Sequence, residues 1–320
     1  MISRLGILML HIPDGFLSVP VALIGWLLAI LFIGLALRQT REQFDERQIP
    51  LMGVMAAFIF AAQAINFPVL GGTSGHLLGG ALAAIVLGPW SAVLVMAAVI
   101  GLQGLLFQDG GLLVMGWNIM NMGVLTAFTG AAAYRLVWDW LGDGRATLIL
   151  GGAAGAWLSV MVAALATSLE LAASGTSPLN IVLPAMLGVH SLIGIGEAII
   201  TVGALLLIYT TRPDLLQQGA SASGQKSSTW VAAGLVIALI VAFFSFTTSS
   251  DPDGLERVAE DQGFLETTLE PIYNLLPDYT IPFIENEMVS GIVAVIAGTL
   301  VVFGLAYLVG RLLRQLKRVS

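Results

Sequence analysis

A succession of long apolar segments constrains this chain more than any other feature of its sequence. A helix needs roughly 20 apolar residues to cross the hydrocarbon core of a bilayer. The third of the nine predicted crossings is short, and Gly88-Pro89 separates it from the fourth because this pair interrupts a helix. The nine predicted crossings are Val19–Leu37, Leu51–Leu70, Leu77–Leu87, Trp90–Phe107, Leu112–Val137, Thr147–Ala173, Ile181–Tyr209, Trp230–Phe246 and Val289–Val309. The predicted fold class is therefore an all-α, polytopic membrane protein.

Charged residues are scarce, and their scarcity excludes several classes of protein. The 320 residues include 13 Lys+Arg and 20 Asp+Glu, or 10% charged, against about 25% in soluble domains. A soluble globular enzyme is therefore excluded as the first interpretation. The net charge of −7 and the lack of a basic stripe argue against nucleic-acid binding. The chain has no cysteine, which excludes disulfides and thiolate metal sites.

The positions of Lys and Arg predict how the helices are oriented, since these residues concentrate in cytoplasmic loops. If the N-terminus lies outside and the C-terminus inside, only Arg4 and Arg257 fall on the outer side. The same topology places all three histidines at or near the outer half of the membrane. It also exposes the segment Ser249–Glu285, which carries nine carboxylates and one Arg, to the outside. Eleven basic residues then fall inside: Arg38, Arg41, Arg47, Arg135, Arg145, Arg212, Lys226, Arg311, Arg314, Lys317 and Arg318.

Changes in composition divide the chain into two modules. Residues 10–212 contain about seven of the predicted helices, and residues 229–320 contain two helices around the acidic outer loop. Residues 213–228 form a predicted cytoplasmic linker, because the run QQGASASGQKSS is of the flexible type. Gly219–Ser227 resembles a phosphate-binding loop, but Gln225 separates the glycine from the lysine and no strand precedes it. We therefore predict no ATP site on this chain.

Two irregular segments place histidines beside predicted helices. In HIPDGFL, residues 11–17, Pro13 and Gly15 prevent a smooth helix ahead of the first crossing. This segment is either a membrane-entry turn or part of a binding site. A second, glycine-rich segment leads to His76 at membrane depth, where a histidine is a functional candidate. Its residues are Gly71, Gly72, Thr73, Ser74 and Gly75.

Further polar side chains lie inside predicted helices. Asn118 and Asn121 are three residues apart and share a helical face, and Gln103 precedes them. Amides in hydrocarbon commonly bond neighbouring helices, so helix-to-helix contacts and ligand support are both open. His190 and Glu197 lie seven apart on one face, as either a proton or ion relay or a structural hydrogen-bond network.

Imidazole and amide nitrogens without thiols suit Ni²⁺, Co²⁺, Cu²⁺ and Zn²⁺. An all-nitrogen set that includes a backbone or terminal amine favours square-planar Ni²⁺. The residues alone therefore lead to an outward-facing transition-metal site and no further.

Four motifs closely resemble the membrane substrate-capture subunit of energy-coupling-factor (ECF) transporters for cobalt and nickel, the CbiM/NikM family. The motifs lie in family order across most of residues 11–211. The second module is similar to the small companion subunit of the PDGLE (CbiN/NikN-like) type through Asp251–Glu256, and here it is fused to the first. The four motifs are HIPDGFL, GGTSGHLLGGALAAIVLGPW, LQGLLFQDGGLLVMGWNIMNM and GVHSLIGIGEAIIT.

This resemblance implies a transporter component of the prokaryotic cell membrane, not an enzyme. It implies that the chain captures Co²⁺ or Ni²⁺ from outside as transported substrate. Its implied partners are two cytoplasmic ATPase subunits and a transmembrane coupling subunit, all separate chains. In the family, the metal is held by the N-terminal amine, by the backbone nitrogen and imidazole of the second-position histidine, and by the histidine of the GTSGH loop.

Carried over, the implied ligands are the nitrogens of His11 and the imidazole of His76, with polar groups supporting them or lining the path. The family motif begins at the mature terminus, whereas His11 follows ten residues here. We expect Leu10 to represent an alternative start codon read as Met, with residues 1–9 absent. A start at Met9 would give a different site. The supporting residues are Gln103, Asn118, Asn121, His190 and Glu197.

Two other functions remain open at this point. A receptor for a vitamin or another small organic ligand would need a larger pocket with aromatic and charged anchors. A membrane enzyme would use His190 and Glu197 as an acid–base pair. Separately, the nine carboxylates of the outer loop either attract cations by electrostatics or merely keep the loop solvated.

Overall fold

The computed structural model describes residues 11–43, 48–216, 229–273 and 275–319. These residues form eleven α-helices and one small hairpin. In chain order the elements are α1 (Val19–Gln43), α2 (Gln48–Gln63), β1 (Phe67–Val69), β2 (Thr73–Gly75), α3 (Gly80–Leu87), α4 (Pro89–Leu102), α5 (Met115–Asn118), α6 (Thr126–Leu141), α7 (Arg145–Ala173), α8 (Leu179–Thr211), α9 (Thr229–Phe243), α10 (Gly254–Gln262) and α11 (Glu287–Val319).

Six of the described helices are long and apolar enough to cross a membrane, which confirms a mostly helical, multi-pass membrane protein. α2 is a shorter apolar helix. The count of nine crossings and the orientation of the termini stay predictions. The six are Val19–Glu42, Pro89–Phe107, Arg145–Ala173, Leu179–Thr211, Thr229–Thr247 and Glu287–Lys317.

The end of the second predicted crossing and the start of the third differ from the structure. Helix α2 ends at Gln63, and residues predicted to continue it form the antiparallel hairpin β1–β2 instead. Pro68 explains this change, because proline cannot continue a helix and holds the residue before it in an extended conformation. α3 begins only at Gly80, so its eight residues extend about 12 Å along the helix axis. The predicted break is confirmed: Gly88 has φ +82° and Pro89 opens α4.

Two short π-helical turns interrupt the helices of the first module. One, Gln103–Phe107, extends α4, and the other, Ile119–Leu125, joins α5 to α6. A π-turn inserts an extra residue and so rotates the side chains that follow it, and such turns are frequent at functional sites. Three predicted site amides lie in or next to these turns: Gln103, Asn118 and Asn121.

The two modules share one hydrophobic core. α9 and α11 pack against α2, and Ala294, Val295 and Val302 are buried in the same cluster as Phe60 and Ile59. The approach is close: a Cβ at Gly298 would lie 2.4 Å from the ring of Phe60. The second module is therefore packed against the first in the membrane region rather than only tethered to it.

The acidic outer loop is folded rather than merely solvated. α10 begins with a capping box in which Asp253 and Glu256 exchange side-chain and backbone hydrogen bonds. Its apolar side, with Leu255 and Val258, is buried against the first module, and Phe264 packs edge-on against Phe16 at 5.1 Å. The loop therefore packs against the first module through its apolar residues, and its carboxylates can still keep the rest of it solvated. The electrostatic role of its carboxylates stays a prediction.

Candidate metal centre

The segment that begins at His11 is inserted between the helices and fixed there by its backbone. The Asn118 amide pairs with Ile12 in both directions: Ile12 N donates to Oδ1 at 3.0 Å, and Nδ2 donates to the Ile12 carbonyl at 3.0 Å. The Gly111 N–H donates to the same carbonyl at 3.0 Å. Asp14 accepts from the backbone of Leu113 at 2.9 Å. Asn118 therefore supports the peptide beside His11.

The His11 imidazole is fully buried, and a carboxylate bonds to one of its ring nitrogens. Its Nδ1 lies 2.7 Å from Asp109 Oδ1. Tyr279 donates its hydroxyl to the other carboxylate oxygen at 2.6 Å, and Gln103 Nε2 donates to that hydroxyl at 3.3 Å. Gly110 makes room for this arrangement, since a Cβ there would lie 2.7 Å from the His11 Cβ. His11 Nε2 is buried and has no hydrogen-bond partner among the described residues.

The charge states of this cluster follow from its surroundings. Burial by itself would raise the pKa of Asp109, but the interaction with His11 and the hydroxyl of Tyr279 hold that pKa below its ordinary value. Burial, together with the charge of Asp109, raises the pKa of Tyr279 well above its ordinary value. Asp109 is therefore an ionised acceptor and Tyr279 a neutral donor.

His76 approaches His11 from the end of the hairpin. The two ring centroids lie 6.0 Å apart, and their planes meet at 28°. His76 Nδ1 lies 3.0 Å from the Leu77 carbonyl oxygen, which assigns the proton to Nδ1 and the lone pair to Nε2. The residues that follow are held by Glu197, which accepts from Leu78 N at 2.6 Å and from Gly79 N at 2.9 Å.

The two imidazoles line a cavity of about 70 Å³. A water molecule occupies about 30 Å³ and a drug-sized ligand about 300 Å³ or more, so the cavity suits an ion with few waters. A larger, mostly apolar groove of about 930 Å³ lies between α2, α8 and α9 and contains none of the predicted site residues. The organic-ligand alternative therefore has no support at this site. Polar residues that line the small cavity are His11, His76, Asn118, Asn121, Thr167, His190 and Asp253.

The structure separates two residues that the sequence paired. His190 lines the cavity, and its Nδ1 bonds the Met186 carbonyl at 2.8 Å. Glu197 instead bonds the backbone ahead of α3. Each side chain therefore bonds a different backbone segment, and the relay and the structural network both stay predictions. Asn121 likewise donates to Glu170 at 3.0 Å on α7.

The glycine-rich segment forms the hairpin and makes hydrogen bonds with the second module. Gly71 and Gly72, with φ +98° and +70°, make its turn, while Gly75 lines the cavity. Ser74 N donates to the Pro252 carbonyl at 2.8 Å, and its hydroxyl donates to the Asp251 carbonyl at 2.8 Å. Thr73 adds a bond to Pro252 at 3.0 Å. The PDGLE motif therefore docks on the hairpin through these hydrogen bonds and one isolated parallel β-bridge between Ser74 and Asp253.

Three residues of the centre were missed by sequence reasoning. Asp109 belongs to the quoted QDGG motif, so its position beside the amides was an available signal. Asp253 belongs to the PDGLE motif, and burial raises the pKa of its carboxyl to about 8. Tyr279 carries no local signal, since its role depends on a contact 170 residues away along the chain. The terminal amine, Leu10 and residues 1–9 lie outside the described residues.

Residues 11–215 match the family described as the cobalt uptake substrate-specific transmembrane region, and residues 228–315 match the PDGLE domain. The chain belongs to the cobalt-uptake transmembrane family. It is similar to a solved structure titled a truncated transition metal transporter, at 34% identity and a TM-score of 0.55. That likeness covers 62% of this chain and 97% of the other.

Relatives of this cobalt-uptake family protein occur with and without the second module. A putative fused nickel transport protein of Archaeoglobus fulgidus is 36% identical over 309 residues, covering 95% of this chain and 99% of the relative. A putative metal transport protein of Haloquadratum walsbyi is 40% identical over 209 residues, covering 65% of this chain and 93% of the relative. The resemblance to a capture subunit fused to a PDGLE module is thus confirmed. As a member of this family the chain is a multi-pass membrane transport protein of prokaryotes, not an enzyme.

Proposed function

We propose that this chain captures Ni²⁺ or Co²⁺ from the outer side of the membrane, between His11 and His76, and passes the ion inward. One observation carries the proposal: two buried imidazoles approach to 6.0 Å across a cavity of ionic size. Imidazole nitrogen suits both ions. The description of the family refers to cobalt and the name of the Archaeoglobus relative refers to nickel, so both ions stay in the proposal.

The protein side chains alone form an incomplete coordination sphere. Among the described residues, no three His, Cys, Asp or Glu side chains come together to hold a metal. Further ligands would come from backbone nitrogen or from a terminal amine at position 10, as the family resemblance implies. A terminal amine at position 10 requires that translation begin at Leu10, read as Met.

Energy for transport would come from separate chains. We propose an ECF assembly with two cytoplasmic ATPase subunits and a transmembrane coupling subunit, since this sequence offers no phosphate-binding loop of its own. In this scheme residues 10–212 capture the metal, 213–228 connect the modules inside the cell, and 229–320 form the companion module. The N-terminus lies outside, the C-terminus lies inside, and nine segments cross or enter the bilayer.

We expect the purified full chain to bind about one Ni²⁺ or Co²⁺, and cells to accumulate that ion only when the ATPase and coupling subunits are co-expressed. Titration of each ion by calorimetry, beside Mg²⁺ and Mn²⁺ as oxygen-preferring controls, measures the first part. Uptake of radioactive metal with and without the partner genes measures the second. Absence of binding to protein that carries its native terminus would contradict metal capture. Uptake without any ATPase would contradict the ECF assembly alone.

A further inference from the structure

Part of the acidic loop between α9 and α11 points its apolar side chains away from the protein. Four of them, called the strap patch below, are Leu269, Ile272, Leu275 and Phe283, which are 58%, 86%, 53% and 86% exposed. We propose that the strap patch inserts into the membrane interface, where phospholipid headgroups meet acyl chains, and anchors this part of the loop there. The partner is thus a lipid surface, and none of the four residues lines the metal cavity.

The loop contains two parts of opposite polarity. In α10 the apolar residues Leu255 and Val258 are buried, while the charged residues Glu260 and Asp261 are exposed, as is usual beside water. In the strap patch the apolar side chains are the exposed ones. Single exposed apolar residues are common on soluble surfaces, but a group of them marks a binding surface for protein or membrane. The strap patch therefore requires different surroundings from α10.

Backbone hydrogen bonds tie this part of the loop to the first module. Leu269 N donates to the Asp14 carbonyl at 2.8 Å, and Leu276 N donates to the Leu106 carbonyl at 3.1 Å. These two N–H groups are therefore already satisfied by the protein and need no water. Insertion of the neighbouring apolar side chains into the interface then avoids the cost of burying unpaired donors.

The strap patch continues the lipid-facing surface of two spanning helices. The Tyr273 hydroxyl donates to the Leu105 carbonyl at 2.8 Å, near the end of the apolar span Pro89–Phe107. Leu105 itself is 51% exposed on this span and so faces lipid. Ile281 N donates to the Ser290 hydroxyl at 2.6 Å, in the first turn of α11. The ends of spanning helices lie at the membrane interface, where tyrosine is enriched, so a loop held against these ends lies there too.

The backbone and the charges of the loop limit how the strap patch inserts. An irregular backbone exposed to lipid is not tolerated in the hydrocarbon core, so insertion stops at the boundary between headgroups and acyl chains. Residues 258–310 contain no Lys, Arg or His, although they include several Asp and Glu. Attraction to anionic lipids therefore contributes nothing, and the driving force is burial of apolar side chains. Phosphatidylglycerol should leave insertion unchanged or weaken it.

Insertion would also steady the segment that begins at His11. The loop crosses this segment closely, since a Cβ at Gly15 would collide with the Thr267 carbonyl oxygen. The bond from Leu269 N to the Asp14 carbonyl lies beside that crossing. The bilayer thereby helps to hold the loop over residues 11–17.

The test uses the full chain, whose lack of cysteine lets one introduced cysteine carry one dye. The environment-sensitive dye NBD is attached to Ile272→Cys and, separately, to Phe283→Cys. Glu260→Cys, on the exposed side of α10, is the matched control. Each labelled protein is reconstituted in phosphatidylcholine vesicles. Three quenchers are compared: phosphatidylcholine with a nitroxide near the headgroup, phosphatidylcholine with a nitroxide deep in the acyl chain, and acrylamide in the water.

We expect the shallow nitroxide to quench the dyes at positions 272 and 283 most strongly, and acrylamide to quench the dye at position 260. Stronger quenching by acrylamide at 272 and 283 would overturn the proposal. Protection from all three quenchers would also overturn it, because it would indicate a protein contact. Strongest quenching by the deep nitroxide would contradict the interfacial depth, and an increase with phosphatidylglycerol would contradict apolar insertion. The test needs no metal, so its outcome is independent of metal capture.

A second measurement avoids the dye. In vesicles, Ile272→Ser combined with Phe283→Ser should speed hydrogen exchange of the Leu269 and Leu276 amides by about 10-fold or more, the factor that corresponds to burial of one large apolar side chain. Both replaced side chains are 86% exposed, so their loss acts chiefly through the surrounding lipid. Glu260→Ser should leave this exchange unchanged. Unchanged exchange in the double variant would overturn the anchor.

Discussion

His76→Ala is expected to weaken Ni²⁺ and Co²⁺ binding by about 100-fold or more, which exceeds the usual effect of removing an outer-shell partner. The substitution deletes one of the two imidazoles that meet in the cavity. His76 is 7% exposed, and its Nδ1 is engaged by the Leu77 carbonyl, so only Nε2 serves as a ligand. Water filling the space cannot replace it, because a neutral water oxygen is a poorer ligand than imidazole for these ions. Titration calorimetry and metal content after gel filtration measure the loss.

His190→Ala is the matched control. His190 lines the same cavity, but it lies on α8, where its Nδ1 bonds the Met186 carbonyl of the same helix. We expect this variant to retain tight binding. His76→Gln separates ligand loss from cavity formation, because glutamine fills most of the space and keeps a polar tip. Wild-type affinity in both His76 variants would rule out the proposed centre. Equal losses in His76→Ala and His190→Ala would shift the centre toward α8.

Glu197→Ala is expected to lower the free energy of unfolding by roughly 2–6 kcal/mol, from two buried N–H groups at about 1–3 kcal/mol each. Glu197 is completely buried on α8 and accepts from Leu78 and Gly79, the last residues before α3. A carboxylate at a helix N-terminus also interacts favourably with the helix dipole. Alanine would leave both donors without an acceptor and release the segment that follows His76. Metal affinity should therefore fall together with stability.

The comparison variant is Glu170→Ala on neighbouring α7. Glu170 is also a buried carboxylate, but its donor Asn121 keeps Thr167 as a second acceptor at 3.2 Å. We expect a smaller loss of stability and little loss of metal affinity. Thermal unfolding in detergent and metal titration measure both quantities. A Glu197→Ala protein as stable as Glu170→Ala would mean that the two backbone donors find other partners.

Sequence reasoning correctly predicted those features of the fold that a single helix or turn determines. Apolar length placed the long helices, and Gly88-Pro89 marked the break between α3 and α4. It performed less well at those helix ends where contacts with residues distant in sequence determine the structure. The strand that replaced the end of the second predicted crossing depends on pairing with Thr73–Gly75, and on PDGLE residues about 180 positions away. Periodicity within one helix contains no information about such pairing.

The candidate site shows the same contrast between residues that sequence motifs predict and residues that only tertiary contacts bring together. Motifs singled out His11, His76 and the amide Asn118, and the structure brings these three to one cavity. Spacing along α8 also paired His190 with Glu197, which tertiary contacts separate. Tyr279 could not be found, because a tyrosine in an acidic loop looks ordinary until the chain folds it against Asp109. The ligand roles of His11 and His76 remain proposals that the variants above test.

Residues Asp251–Asp253 contact the hairpin mainly through their backbone carbonyls, so this contact depends little on their side chains. Two separate polypeptides could therefore form the same contact. Covalent fusion then contributes effective concentration, on the order of millimolar for short flexible linkers. A split version of this protein should therefore work when both halves are abundant and fail on dilution. Gene fusion would therefore keep the two modules associated when either one is dilute, without adding new contacts between them.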